Sequence, residues 1–126
     1  MNADDATRPT RAEIDLAAIA SNVQIARRLA GSATEVMAVV KADAYGHGVV
    51  QVARTALTAG ATWLGVAIPE EAVALRSAGI RSRILVLGPI APEQVPVTVA
   101  HDLDQCVSDL SQATALSRVA ASRGCA

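Results

Sequence analysis

The stretch Ala38-Val39-Val40-Lys41-Ala42-Asp43-Ala44-Tyr45-Gly46-His47-Gly48 sets a lysine where an apolar run stops and a glycine-punctuated turn begins. Reading Glu35 to Val40 as a strand carries Lys41 out of a sheet at its carboxyl end, where the ligands of α/β folds collect. A lysine there can act as an amine nucleophile and Schiff-base former, provided desolvation or a nearby cation keeps its amine partly neutral. The next residues suit such a role. Small side chains let a flat group approach, the Tyr45 hydroxyl can donate to a phosphate, and Gly46 and Gly48 permit sharp turns. A helix starting near Val49 would add the positive end of its dipole. On position alone, a lysine with its stem along the core and its head in water is the commoner reading.

Outward from this stretch one cadence repeats. Strand candidates begin near Val36, at Trp63 (Trp63 to Ala67) and at Ile84 (Ile84 to Leu87), with a weaker one at Leu103 to Val107. Helix candidates follow each: Val49 to Ala59, Pro69 to Ala78, Pro92 to about Val99, and Ser111 to Ser122. Pro69 with Glu70 and Glu71, and Pro92 with Glu93, put proline at a first helical position and acids in the positive first turn. Asp109 is placed to cap the last helix. Ahead of the first strand, Leu16, Ile19, Val23, Ala26 and Ala30 recur at helical spacing, with Arg27, Arg28 and then Gly31 closing the pattern. Ala12 to Leu16 reads as a short strand or extended lead-in, and Met1 to Thr10 as a flexible leader. Strands spaced by roughly 20 to 27 residues imply parallel pairing through right-handed helical crossovers. Both an open doubly wound sheet and a (β/α)8 barrel share that cadence, and periodicity does not separate them.

Composition narrows the function classes. The chain has 126 residues, 52% apolar and 18% charged, with a formal net charge of −1. That suits one domain with a real core and argues against disorder and against a nucleic-acid partner held by phosphate contacts. Aromatics are only 2%, so the core must be built from Ala, Val, Leu and Ile. Apolar runs such as Val36 to Val40 fall far short of the roughly 20 residues of a membrane span. Acidic residues stand near the start where a signal peptide would be basic. Cys106 and Cys125 have no metal-pair spacing and make no disulfide framework, which fits reduced thiols in a cytoplasmic protein and no metal site.

The segment from Ala38 to Gly48 resembles, nearly letter for letter, the pyridoxal-phosphate attachment motif of the bacterial alanine racemases. The resemblance extends to Ala12 to Leu16 and Asn22, to Trp63 to Ala67 with Pro69 to Ala72, and to Ile84 to Gly88. It implies the first half of a (β/α)8 barrel over residues 11 to 126, with the second half and a C-terminal β-domain absent, and a short Glu13 to Leu16 strand belonging to that β-domain. It implies a homodimer in the full-length family. Lys41 would hold pyridoxal 5'-phosphate covalently, Tyr45 would hydrogen-bond its phosphate, and Leu87 would sit beside it. The reaction implied is the interconversion of L- and D-alanine, with Lys41 as the base on one face. The family's other base is a tyrosine of the second subunit's C-terminal domain, and Tyr45 is the single tyrosine of this chain. The chain alone is therefore expected to be inactive and, as a half barrel with bare strand edges, prone to associate. A non-catalytic pyridoxal-phosphate homeostasis-type barrel shares the fold and the lysine but is less similar at Ala44 to Gly48. An inert remnant is the third reading.

Other polar residues have plainer explanations. His47 reads as a loop residue, His101 as a surface one, and Asp43 as turn chemistry. Trp63 reads as core, and Glu70 and Glu71 as helix N-terminal charge.

Overall fold

The computed structural model describes residues 10–125. Of the leader expected over Met1 to Thr10, only Thr10 lies within the described residues. Helix α1 (Leu16–Ala30) opens the fold, capped by Asp15, whose carboxylate accepts the Ala18 N–H at 3.0 Å. Arg27 and Arg28 fill its last turn, where they meet the negative end of the helix dipole. Glu13 to Leu16 forms no strand. Leu16 already begins α1, and residues 10–15 have no sheet neighbour to satisfy their backbone.

The sheet contains β1 (Met37–Val39), β2 (Trp63–Val66), β3 (Arg83–Val86) and β4 (Asp104–Gln105), all parallel and in the order β1-β2-β3-β4. Between β1 and β2 lie the short element α2 (Lys41–Gly46) and helix α3 (Val49–Thr58). Helix α4 (Pro69–Ser77) joins β2 to β3, and a single 3₁₀ turn at Pro92–Gln94 leads into α5 (Val95–Ala100) before β4. Helix α6 (Leu110–Ser122) follows, capped by Asp109, which accepts the Gln112 N–H at 2.8 Å. The order answers the question that spacing leaves open. A doubly wound sheet reverses its strand order at a switch point, whereas this one advances one strand at a time, as a barrel does.

The two faces of the sheet differ for a reason visible in the pleat. Val40, Leu64, Val66, Ile84 and Val86 are buried against Val52 and Ala53 of α3 and Ala72 and Leu75 of α4, and together they form the core. The alternate residues Met37, Val39, Trp63, Arg83 and Leu85 lie on the other face, and Met37 and Val39 remain 37% exposed. Trp63 lies on this second face, which a closed barrel turns inward. It is half-buried, donates its indole N–H to Glu35 at 2.9 Å, and carries the Arg83 guanidinium 3.5 Å above its ring centroid. It stands at the amino-terminal edge of the strands, the end that serves stability in barrels.

Candidate active site

At the carboxyl ends of the strands the backbone departs from ordinary geometry. Ala42, Asp43, Ala44 and Tyr45 have φ of 52, 53, 53 and 56°, with ψ between 37 and 53°. Four consecutive non-glycine residues thus form a turn of left-handed helix immediately after Lys41. Each costs on the order of 1–2 kcal/mol against the right-handed form. Strain of this kind persists only where the surroundings over-determine it, and it concentrates at functional sites. Ala44 is buried in the core and pins the middle of the turn.

Two carboxylates hold the turn, Asp43 from within it and Glu71 from α4. Asp43 Oδ1 accepts the Val49 N–H at 2.7 Å, which ties the turn to the start of α3. Gly48, at φ 87°, makes the bend between them in a conformation that a side chain would resist. The positive end of α3 therefore has an anion on its first N–H. Glu71, in the first turn of α4, accepts the Ala42 N–H on Oε1 and the Ala67 N–H on Oε2, both at 2.7 Å. The Glu70 carboxylate faces away from this pair and accepts from Gln94 Nε2 at 2.8 Å, a hydrogen bond that holds its pKa below the usual glutamate range.

From Glu71 a hydrogen-bonded belt continues across the strand ends. Gly88 N–H donates to the Ala67 carbonyl at 3.1 Å. Gln105 Nε2 then donates to the Gly88 carbonyl at 2.7 Å and to the Cys106 carbonyl at 2.6 Å. The segments leaving all four strands are thereby connected, from Ala42 beside the lysine to Cys106 after β4.

Lys41, the only lysine of the chain, sits half-buried at the exit of β1. Leu87, 37% exposed, follows β3. It reaches toward β1 across Gly65 of β2: a Cβ on Gly65 would lie 3.4 Å from Leu87 Cδ1, 3.4 Å from Val39 Cγ2 and 3.3 Å from Met37 Sδ. The absence of a side chain at Gly65 thus lets residues of three strands close into one apolar surface beside the lysine exit. Tyr45 is 60% exposed at the end of the left-handed turn. His47 places Nδ1 3.0 Å from the Ala44 carbonyl and 3.1 Å from that of Tyr45, so it donates within the turn, as a loop residue does. His101 lends its carbonyl to Arg76 at 3.0 Å. Cys106 and Cys125 are free and exposed. Among the described residues no group of three His, Cys, Asp or Glu could hold a metal ion, and no helix is long and apolar enough to cross a membrane. Sequence reasoning missed the reach of Glu71. Its position in a helix's first turn explains one of its hydrogen bonds, and only the fold reveals the other.

A sequential parallel sheet with helices on one face and a lysine at the exit of its first strand defines the amino-terminal half of a (β/α)8 barrel of the lysine-bearing kind. A family model described as "Alanine racemase, N-terminal domain" matches residues 14–125, and the chain belongs to that family. It is 48% identical over 115 residues to the alanine racemase of Halothermothrix orenii, a match covering 91% of this chain and 30% of that protein. With the Geobacillus stearothermophilus alanine racemase it shares 60% identity over 89 residues, 71% of this chain and 23% of that protein. Among solved structures, alanine racemase from Clostridium difficile superposes with a TM-score of 0.84 at 33% identity, over 95% of this chain and 32% of that one. The enzyme from Streptomyces coelicolor gives 0.80 at 44% identity, over 90% and 30%. The chain spans about 30% of the length of the first relatives it matches.

Proposed function

We propose that this chain carries the pyridoxal-phosphate-anchoring part of an alanine racemase, an isomerase that interconverts L- and D-alanine for peptidoglycan synthesis. The observation that carries the reading is Lys41, the sole lysine, at the exit of β1 on a strained left-handed turn, within a chain of this family. The residues present fit the cofactor. Lys41, half-buried, leaves β1 two residues after Val39, which with Gly65 and Leu87 makes an apolar surface that suits a flat aromatic ring. When bound, pyridoxal phosphate supplies a conjugated ring that takes up the electron pair left when the alanine Cα loses its proton.

The chain's own groups have three tasks. Lys41 Nζ would hold the group, and the same amine would accept or return the Cα proton on one face. The Tyr45 hydroxyl donates to the phosphate. Leu87 would pack against the group and keep water from that side. The opposite face needs a second base, which in this family is a tyrosine from the second subunit of a homodimer, and Tyr45 is already assigned. Two exposed free thiols favour a reducing, cytoplasmic setting.

The test is to mix the chain with pyridoxal phosphate, reduce with borohydride and map the labelled peptide. Label on Lys41 is the expected result, and an unlabelled Lys41 would remove the assignment. D-alanine formation is expected only when the remaining part of the enzyme is supplied.

A further inference from the structure

We propose that Glu71 is a positioning residue for Lys41, an inference that rests on the functional reading above and names a residue which that reading does not use. A carboxylate at this point of a helix ordinarily accepts one N–H of its own helix entrance, as Oε2 does with Ala67. The second oxygen of Glu71 leaves that unit. It reaches 29 residues back in the chain to the Ala42 N–H, at 2.7 Å.

The Ala42 N–H belongs to the peptide plane that joins Lys41 to Ala42. Fixing that plane fixes ψ of Lys41 and φ of Ala42, the first left-handed angle of the turn. Backbone angles decide which side-chain rotamers are open, so the directions available to the Lys41 amine depend on this bond. The same carboxylate ties Ala67, which accepts from Gly88 at 3.1 Å. Glu71 is therefore the point at which the strained turn is locked to the rest of the strand-end belt. The chemistry requires a carboxylate. Two converging backbone donors need two acceptor oxygens, and a glutamine of the same shape offers one oxygen and turns an N–H₂ toward the other donor.

The experiment uses the full 126-residue chain and compares wild type with Glu71→Gln and Glu71→Ala. The first readout is amide hydrogen exchange at Ala42 and Ala67, with Leu64 and Ile84 in the buried strands as references. The second is the rate at which acetic anhydride acylates Lys41, resolved from the amino terminus by peptide mapping. In Glu71→Gln, exchange at Ala42 should rise roughly ten- to a hundredfold, the weight of a hydrogen bond to a charged acceptor. Leu64 and Ile84 should stay as in wild type. Lys41 acylation should change by about threefold or more, as expected when rotamer preferences are released. Glu71→Ala should loosen both amides. Unchanged exchange at Ala42 in both variants would overturn the proposal. So would equal acceleration at Leu64 and Ile84, which marks a purely structural role, and so would a loosened Ala42 with unaltered Lys41 acylation. Neither readout involves pyridoxal phosphate, so failure of cofactor binding would count against the functional reading and leave this one to its own result.

Discussion

Gly88 passes so close to Ala67 that a Cβ built on it would fall 2.5 Å from the Ala67 carbonyl oxygen. No real side chain tolerates that approach, and the obstacle is backbone, which cannot swing aside. The contact is part of the belt that joins the strand ends, because the same glycine donates its N–H to that carbonyl at 3.1 Å. Gly88→Ala should therefore part the segments leaving β2 and β3 and destabilise the fold by about 1–3 kcal/mol, the usual range for overpacking. Urea unfolding followed by far-ultraviolet circular dichroism measures it, and an unchanged midpoint would show that the close approach is not needed.

Arg76 should be the most sensitive polar residue of the structure. It is buried, and its guanidinium donates to the carbonyls of His101, Asp102, Ile80 and Ser82 at 2.8–3.0 Å. Burial pushes its pKa below the usual arginine value, while the charges of Asp102 and Asp104 oppose that shift. Arg76→Leu leaves four carbonyls without their donor and should cost about 3 kcal/mol or more. Arg76→Lys should recover only part of the loss, because a lysine has three donors on a single nitrogen and lacks the fork. Equal melting temperatures for the lysine variant and wild type would refute the argument.

The amino-terminal edge of the sheet offers a smaller effect and a direct reporter. Arg83 covers the ring of Trp63, the chain's only tryptophan, and also pairs with Asp104 at 3.0 Å across exposed surface. Exposed stacking and an exposed ion pair are each worth about 1 kcal/mol or less. Arg83→Ala should shift the tryptophan emission and lower stability by only that order, with Lys41 chemistry unchanged. A loss of several kcal/mol would mean that this edge carries more of the fold than its exposure implies.

Acid should loosen the last helix through its cap. Hydrogen bonds from Ser111 and from the Gln112 N–H hold the Asp109 pKa below the ordinary aspartate value. The folded-state pKa is depressed, so the stabilising contribution is fully present above the ordinary value and is lost as pH falls through the lowered one. An acid titration of helicity should show this loss in wild type. Asp109→Asn keeps a capping side chain and should flatten that part of the profile. A wild-type slope retained in the asparagine variant would assign the effect to another carboxylate.

Much of the fold was legible because its signals are local. Leu16 to Ala30 repeats apolar residues at helical spacing, with arginines in the last turn and a glycine after it, and the helix forms over those residues. Proline and paired acids announced the start of α4 at Pro69, and Asp109 announced α6. Two readings depended on neighbours. Leu16 begins α1, and Glu13 to Asp15 have no sheet partner among the described residues, while Trp63 lies half-buried on the sheet face that the helices do not cover. The place of Lys41 at the end of the first strand was legible from its motif. The left-handed form of its turn was not, because no pattern of Ala, Asp, Ala and Tyr marks it.

The sequence by itself thus determined the succession of strands and helices, the lysine at the end of the first strand and the family resemblance, all of which rest on residue spacing. The resemblance implied the barrel and the strand order bears it out, whereas only the tertiary structure decided the strained turn. It also assigned the tie from Glu71 to Ala42 and the 2.5 Å constraint that demands glycine at position 88. The reason is physical. A helix or strand follows from side chains within a few residues of one another, whereas a turn held against its own preference follows from donors and acceptors that packing brings together across the sheet.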